Sequence, residues 1–175
     1  FTEYENLLSS KTKLVCVAHI SNVLGTINPI KKIVEKAHEY GAKVLVDGAQ
    51  AAAHLIVDVK DLDVDFYAFS AHKMYGPTGV GVLFGKKELL EKMPPVSGGG
   101  DMVETVTFES ATFQPSPLKF EAGTPNIAGV IGLGVAIDYL NSLGRETLIE
   151  WEQKLLKESM KKILEIENIK VVGTA

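Results

Sequence analysis

Short apolar runs of strand length alternate along this chain with segments of helical period, and this alternation is what most limits its possible folds. Residues 14–18 (LVCVA) and 44–46 (VLV) are continuous apolar runs, which are typical of strands buried on both faces. Between them, residues 30–40 carry apolar side chains at helical spacing, after Asn28 as N-cap and Pro29 at the first helical position. Strand, helix and strand within about 35 residues predict a βαβ unit with parallel pairing.

Two further strands are predicted at residues 66–69 and 80–84. A parallel crossover needs about a dozen residues or more, so the short connection between them predicts that the fourth strand runs antiparallel. Residues 94–125 contain many glycines and prolines and are expected to form mostly long ordered loops. The predicted fold class is therefore α/β, with a mostly parallel sheet and flanking helices.

Two helices are predicted in the last third of the chain. The first follows Asn126 as its cap and ends near Leu143, with Gly144 as its stop. The second covers residues 146–166 and has one apolar side. Residues 169–175 resemble the beginning of a strand, and we expect both ends of the chain to be cuts through a longer protein.

Composition argues against some classes of partner. The net charge is −4 and the lysines are scattered, whereas a nucleic-acid-binding protein normally carries a basic patch. No apolar run approaches the roughly 18 residues that cross a bilayer, so no membrane partner is expected. Cys16 is the single cysteine and cannot form an internal disulfide, which indicates a reducing, cytoplasmic compartment.

Polar side chains follow each of the first three predicted strands. In open α/β sheets, ligands bind at the carboxyl ends of the parallel strands, so these side chains are expected to meet at one rim. Their convergence indicates a functional site more strongly than any one of them does alone. The candidates are Asn22, Asp47, Gln50, Ser70, His72 and Lys73.

Asp47 and Lys73 are the two candidates with the most specific chemistry. Asp47 directly follows a buried run; it either caps the next turn or, partly desolvated, pairs with a protonated ring nitrogen of a cofactor. Most lysines are solvated surface charges. A lysine in a partly dry rim, however, loses its proton more easily and acts as an amine nucleophile, which a Schiff base with an aldehyde cofactor requires.

Ser70 and His72 are two residues apart and would share a face if the segment were extended, which would let both reach one phosphate. The alternatives are a turn hydroxyl for Ser70 and a packed, hydrogen-bonded ring for His72. Among the other histidines, His38 is interpreted as a surface residue, and His19 and His54 stay undecided. Their spacing does not indicate a metal site.

Five segments carry a family resemblance: residues 19–25 (HISNVLG), 46–50 (VDGAQ), 65–79 (DFYAFSAHKMYGPTG), 93–100 (MPPVSGGG) and 120–126 (FEAGTPN). Together they resemble the class V aminotransferase fold, and more narrowly the cysteine desulfurases of the SufS/CsdA type. The resemblance covers nearly the whole chain, with alanine at position 71 where glycine is usual. It implies an aspartate aminotransferase-like large domain, incomplete, with residues 1–175 as its central part.

The resemblance implies pyridoxal 5'-phosphate (PLP) as cofactor and a role for each candidate. Lys73 would carry PLP covalently and later move protons. Asp47 would pair with the pyridinium nitrogen and keep it protonated, which makes the ring an electron sink. Gln50 would hydrogen-bond the phenolic oxygen of the cofactor, and Asn22 would lie near that oxygen and the substrate.

The same resemblance implies that residues of two subunits hold the phosphate of the cofactor. Ser70 and His72 would bind it within one subunit. Thr124 would reach the phosphate of a partner subunit, because this family forms homodimers with a shared active site.

Two side chains that the family's reaction requires have no counterpart at a suitable position in this sequence. In the family, a cysteine nucleophile takes the sulfur and an arginine binds the substrate carboxylate, both in the C-terminal part. Cys16 falls inside an apolar strand, where a thiol is normally inert packing. Arg145, the single arginine, falls between two helices and is expected to be a surface charge at a helix start.

The resemblance therefore implies the PLP-binding core of a cysteine desulfurase, inactive as a separate segment. The full enzyme would convert the amino acid L-cysteine to L-alanine and pass sulfur to its own cysteine for iron–sulfur cluster assembly, with a sulfur-acceptor protein as a candidate partner. Selenocysteine lyase, kynureninase or an aminotransferase of class V share the cofactor residues and are alternatives. A non-catalytic dimerisation module is an alternative from another class.

Overall fold

A four-stranded sheet with helices packed against one side forms the body of the chain. The computed structural model describes residues 1–173. The strands are β1 (Leu14–Ala18), β2 (Lys43–Asp47), β3 (Phe66–Ser70), β4 (Gly81–Gly85), β5 (Val103–Val106) and β6 (Ala111–Phe113). The helices are α1 (Thr2–Leu7), α2 (Ile30–Glu39), α3 (Ala51–His54), α4 (Lys87–Lys92), α5 (Ile127–Leu143) and α6 (Arg145–Leu164), with short 3₁₀ turns at Ala71–Met74 and Leu118–Phe120.

The main sheet has the order β1-β2-β3-β4. β1, β2 and β3 are parallel, with Ala18 paired to Asp47 and Asp47 paired to Ala68. β4 pairs with β3 in the antiparallel sense, with Ser70 opposite Gly81. The predicted βαβ unit and the antiparallel fourth strand are both confirmed. The fourth strand is antiparallel because the short β3–β4 connection leaves no length for a crossover.

The core lies on one face of this sheet, which we call the covered face. Alternate residues of each strand point to the same face, so Val44, Val46 and Tyr67 lie together there and are buried. α2 packs its apolar stripe against them, since residues three and four apart share one side of a helix. The stripe consists of Ile30, Ile33, Val34 and Ala37.

The start of α2 differs from the predicted cap. Pro29 occupies the N-cap position, and no side chain caps the helix. Asn28 instead donates from Nδ2 to the carbonyl oxygen of Ala18 at 2.7 Å. The Asn28 amide therefore ties the entry of α2 to the end of β1, where a capping role was expected.

The opposite face, which we call the open face, carries the alternate set of strand residues. Cys16 and Leu14 on β1 and Leu83 on β4 are exposed there, and neither buried core cluster contains them. The prediction that β1 is buried on both faces is wrong for the described residues, and with it the prediction that Cys16 is inert packing. Within residues 1–173, β1 is one of the two edge strands of the main sheet, and α2 covers only one of its faces.

Residues 94–125, which were predicted to be mostly loops, contain a β-hairpin. β5 and β6 pair in the antiparallel sense, with a register shift between Val103 and Thr105. The Thr107 amide donates to the Ser110 carbonyl and closes the turn. The strands are only four and three residues long, which is why glycine and proline around them obscured the alternation.

The two C-terminal helices agree with the prediction within two residues at each end. The Asn126 side chain accepts a hydrogen bond from the Gly129 amide at 3.0 Å and caps α5, and Gly144 adopts a φ of 82° between the helices. Leu133 and Leu140 of α5 are buried, whereas Trp151 and Leu155 of α6 are exposed. Residues 169–173 form no strand, and residues 174–175 of the predicted strand lie outside the described range.

Among residues 1–173, no single helix is long and apolar enough to cross a membrane. α5 and α6 reach that length and composition only as a pair, and the pair is bent by 76°.

A buried carboxylate lies at the amino-terminal ends of β2 and β3, which is the end of the sheet opposite the predicted rim. Asp65 is fully buried; its Oδ2 accepts from the Val44 amide at 2.8 Å and lies 2.7 Å from His38 Nε2. Lys43 and Lys86 place their ammonium groups 3.3 and 3.7 Å from Oδ1. The interpretation of His38 as a surface residue is therefore wrong, because its ring joins α2 to this buried network.

Candidate active site

Three parallel strands end at one rim of the sheet. Asp47 is the last residue of β2 and Ser70 the last residue of β3. Because Asp47 pairs with Ala68, and Ser70 lies two residues further on, their side chains emerge on the same face. The sheet thus brings the predicted carboxylate and hydroxyl to one edge.

Asp47 is held at the rim mainly through its backbone. Its carbonyl oxygen accepts from the His19 amide at 2.8 Å, and its Oδ1 accepts from the Ala49 amide at 2.9 Å. The predicted partial desolvation is wrong for the described residues, because Asp47 is exposed where β2 leaves the sheet. The Ala49 contact is the turn-capping role that was the alternative interpretation, and it leaves Oδ2 open to a ligand.

Lys73 and His72 lie on the 3₁₀ turn Ala71–Met74, which directly follows β3. Ala71 and Met74 are buried and anchor this turn, and Tyr75 leaves it in the left-handed region with a φ of 65°. Ser70 and His72 are therefore not two residues of one extended segment, so the argument that they share a face by alternation does not hold. The 3₁₀ turn changes the chain direction between them.

The side chains of Lys73 and His72 are both exposed. The expectation that Lys73 sits in a partly dry rim is not met within residues 1–173, since no described element covers this side of the turn. The amine nevertheless lies on the turn that follows β3 at the same edge as Asp47. A primary amine, a carboxylate and a hydroxyl at one edge can bind an aldehyde covalently, pair with a cationic ring and donate to an anion.

A buried histidine–tyrosine pair that was not predicted from the sequence lies beneath the rim. His19 Nδ1 and the Tyr67 hydroxyl are 3.0 Å apart, and both residues are buried. Burial lowers the pKa of His19, and burial together with the nearby charge of Asp47 raises the pKa of Tyr67 to about 12. A histidine just after β1 and a tyrosine on the covered face of β3 were the available signals.

Asn22, Gln50 and Thr124 complete the predicted set. Asn22 is exposed in the loop after β1, where Ser21 Oγ accepts from the Leu24 amide at 3.1 Å. Gln50 is half-buried and directly precedes α3. Thr124 is exposed before α5 and makes no hydrogen bond with the rim residues in the described part of the chain.

Arg145 has a structural role that differs from the predicted surface charge. Its Nη2 donates to the carbonyl oxygens of Ala52 at 2.8 Å and Leu55 at 2.7 Å. It therefore joins the start of α6 to the end of α3. A guanidinium used in this way is not available as a carboxylate clamp, which agrees with the prediction that the clamp is not Arg145.

Cys16 is exposed but lies short of the rim. It pairs with Leu45, whereas the rim begins at the Ala18–Asp47 pair two residues further along. No group of three or more His, Cys, Asp or Glu side chains within residues 1–173 is arranged to hold a metal ion.

Comparisons with known proteins identify relatives of this segment. A cysteine desulfurase from Synechococcus elongatus is 50% identical over 173 residues, which are 99% of this chain and 28% of that protein. A crystal structure of the cysteine desulfurase CsdA from Escherichia coli matches with a TM-score of 0.89 and 44% identity, over 92% of this chain and 40% of that chain. A structure of a C-DES mutant with glycine covalently linked to its PLP cofactor matches with a TM-score of 0.86 and 26% identity, over 98% of this chain and 46% of that chain.

The chain spans less than half the length of each of these proteins. The likeness to CsdA confirms the predicted α/β, aminotransferase-like fold over the matched segment, and the resemblance to cysteine desulfurases is confirmed with it. The family model for "Aminotransferase class-V" matches residues 1–175. With the sheet order, the rim and the sequence likeness all in agreement, the chain belongs to the aminotransferase class-V family.

Proposed function

We propose that this chain is the PLP-binding core of a cysteine desulfurase, with residues 1–175 forming the central part of the large domain. The observation that carries the proposal is the position of Lys73, on the turn that directly follows β3, at the sheet edge where Asp47 ends β2. The relatives named cysteine desulfurase support the reaction, and the PLP bound in the C-DES structure supports the cofactor.

The groups at the rim fit the parts of PLP. The cofactor has an aldehyde, a ring nitrogen, a phenolic oxygen and a phosphate, and the rim offers an amine, a carboxylate, amides and a hydroxyl. The open side of the rim leaves room for a ring, since Asp47, His72 and Lys73 are all exposed. We therefore assign Asn22, Asp47, Gln50, Ser70, His72, Lys73 and Thr124 to the cofactor site.

The residues assigned to the cofactor site have different tasks in this proposal. PLP, when bound, supplies an electron sink for the bonds at the substrate α carbon. The Asp47 carboxylate keeps the ring nitrogen protonated, and Ser70 Oγ with His72 donates to the phosphate. Lys73 Nζ would hold the cofactor covalently. After the substrate amine has displaced it, the freed Nζ would take the α proton of the substrate, so one amine would serve first as anchor and then as base.

The substrate in this proposal is L-cysteine, which is converted to L-alanine while its sulfur passes to an enzyme cysteine. Arg145 is bonded to the α3 carbonyls and Cys16 lies short of the rim, so neither supplies the clamp or the nucleophile. Both groups therefore have to come from another part of the protein, and this segment alone is not expected to complete the reaction.

We further propose a homodimer, a sulfur-acceptor protein as partner and a cytoplasmic location. The exposed apolar side of α5, with Ile131, Val135 and Tyr139 at intervals of four residues, supports an interface between copies. In the dimer, Thr124 of one copy would donate to the phosphate held by the other. The single cysteine supports a reducing compartment.

The cofactor assignment is tested by titrating PLP into the full-length protein and recording its visible absorbance. We expect a band from covalently held PLP that is absent in Lys73→Ala and present in Lys32→Ala, which removes an exposed lysine of α2. Borohydride reduction followed by peptide mass spectrometry should then place the cofactor on the Lys73 peptide. Labelling that persists in Lys73→Ala would contradict the assignment.

The substrate is tested separately with the PLP-loaded protein. Alanine formed from cysteine, faster than from selenocysteine or kynurenine, is the expected result. A preference for kynurenine would leave the cofactor assignment intact and overturn the desulfurase proposal.

A further inference from the structure

The His19–Tyr67 pair is the one buried pair of titratable side chains beneath the rim in the described range. His19 is 8% and Tyr67 3% exposed, with 3.0 Å between Nδ1 and the hydroxyl. Their rings meet edge to face at a centroid distance of 6.0 Å. No step assigned above to a rim residue uses either side chain.

Burial keeps both groups that share this hydrogen bond uncharged near neutral pH. Burial and the charge of Asp47 raise the pKa of Tyr67 to about 12, so the phenol keeps its proton near neutral pH. Burial lowers the pKa of His19, which favours the neutral ring. The hydrogen bond between Nδ1 and the hydroxyl therefore joins two neutral groups, its donor set by the tautomer of the His19 ring, and the pair is buried without a net charge.

Both partners also contact the backbone at Asp47 and at the residue that follows it. The His19 amide donates to the Asp47 carbonyl at 2.8 Å. The Tyr67 ring lies directly under Gly48, where an added Cβ would come within 2.0 Å of ring carbon Cε1. The Gly48 amide in turn donates to the Ala68 carbonyl at 2.8 Å. His19 and Tyr67 thus support the backbone at Asp47, which carries the carboxylate, and at Gly48, which follows it.

We propose that His19 and Tyr67 are positioning residues that hold the end of β2 so that the exposed Asp47 carboxylate faces the cofactor ring. The inference rests on the proposed role of Asp47 toward PLP. Such support is needed because Asp47 is exposed, and within residues 1–173 the hydrogen bond from the Ala49 amide is the contact that orients its carboxylate. A carboxylate that pairs with a ring nitrogen has to be held in a narrow range of positions to be effective.

The test compares Tyr67→Phe with Tyr4→Phe in the full-length protein. Both variants remove one hydroxyl that makes one hydrogen bond and keep the ring. The Tyr4 hydroxyl donates to the Ile33 carbonyl at 2.8 Å, between α1 and α2 and away from the rim. Tyr4→Phe is therefore the control for the loss of a hydrogen bond as such.

The first measurement is amide hydrogen exchange at Gly48 and Ala49 in the cofactor-free protein. Exchange reports local opening, so a loosened end of β2 is read out directly. We expect roughly tenfold faster exchange in Tyr67→Phe and no change in Tyr4→Phe, because one lost hydrogen bond changes a local equilibrium by about that factor. Equal exchange in the two variants would overturn the inference.

The second measurement is the dissociation constant for PLP, read from the visible absorbance. We expect the dissociation constant to rise roughly tenfold in Tyr67→Phe and in His19→Leu, and less in His19→Asn, whose amide retains a hydrogen-bonding group near the position of Nδ1. Tyr4→Phe should bind PLP as the unchanged protein does. Unchanged PLP affinity in Tyr67→Phe together with faster exchange would also overturn the inference, since the looser strand end would then not matter to the cofactor.

The two measurements separate this inference from the proposed function. If the unchanged protein binds no PLP through Lys73, the proposed function fails, and with it the part of the inference that concerns the cofactor. If the unchanged protein binds PLP and Tyr67→Phe matches it in both measurements, the inference alone fails.

Discussion

Single residues at the two ends of the parallel strands show how strongly burial depends on contacts that are distant in sequence. At the rim, the Tyr67 ring lies directly below Gly48. At the other end of the strands, the Asp65 carboxylate forms ion pairs with His38, Lys43 and Lys86. Both positions look ordinary in the sequence. Their sensitivity to substitution comes from what the fold places against them.

Gly48→Ala is predicted to be destabilising for a steric reason. The added methyl group would fall within 2.4 Å of three atoms of the Tyr67 side chain, and that ring is packed in the core. Overpacking of this kind costs about 1–3 kcal/mol. Urea denaturation should show the loss, while Gly98→Ala, where no atom lies within 4 Å of the added group, should be close to neutral.

Asp65 is predicted to make stability depend on acidic pH. Burial acts to raise the pKa of Asp65, but hydrogen bonds from His38, the Val44 amide and Lys43 outweigh it and leave the pKa below its ordinary value. A carboxyl group with a lowered folded-state pKa contributes stability above its unfolded-state pKa and loses that contribution as the pH falls through the folded-state pKa.

The expected result for Asp65→Asn is a loss of about 3 kcal/mol at neutral pH, as for a broken buried ion pair. The difference from the unchanged protein should shrink below about pH 4, as the carboxyl group of the unchanged protein becomes protonated. Asp61→Asn removes an exposed carboxylate paired with Lys31 and should change stability little. A difference for Asp65→Asn that is constant with pH would contradict the assignment.

At the scale of elements, α3 is a single turn that depends on α6. Arg145 donates to three carbonyl oxygens at the end of α3, and His54 of α3 lies 3.0 Å from the carboxylate of Glu152 on α6. A four-residue helix cannot satisfy its own terminal groups. The C-terminal helix therefore supports the segment that follows Asp47 and Gln50.

Arg145→Met is predicted to lower the free energy of unfolding by about 2 kcal/mol, the usual cost of losing charge-assisted hydrogen bonds. Arg145→Lys should lose less, because one ammonium can still reach one carbonyl. Lys154→Met, on the same helix but exposed beside Trp151, is the control and should be near neutral in chemical denaturation. Equal effects of Arg145→Met and Lys154→Met would show that the bonds to α3 do not stabilise the fold.

At the scale of the whole molecule, two apolar surfaces have no cover within residues 1–173. One is the open face of the sheet, and the other is the outer side of α5. Contiguous apolar surfaces of this kind mark sites of association. They agree with a chain that corresponds to less than half of its relatives' length.

The 175-residue chain by itself is predicted to self-associate in sedimentation velocity experiments. Ile131→Glu, at an exposed position of α5, should reduce association without a loss of stability. Leu133→Glu, two residues away but buried, should instead destabilise the fold. A monodisperse monomer of the unchanged chain with a cooperative melting transition would contradict the prediction.

Local patterns in the sequence were enough to determine the four strands of the main sheet, the antiparallel direction of the fourth, the helix capped by Asn126 and the rim where Asp47 and Lys73 lie. These features depend on residue periodicity and on connection length, which are properties of neighbouring residues. The tertiary structure decided the exposure of Cys16 and Asp47, because that depends on which face of the sheet is covered. It also decided the pairs His38–Asp65, His19–Tyr67 and Arg145–Ala52, whose partners are 27, 48 and 93 residues apart. Contacts over such distances follow from the packing of whole elements, which no local spacing records.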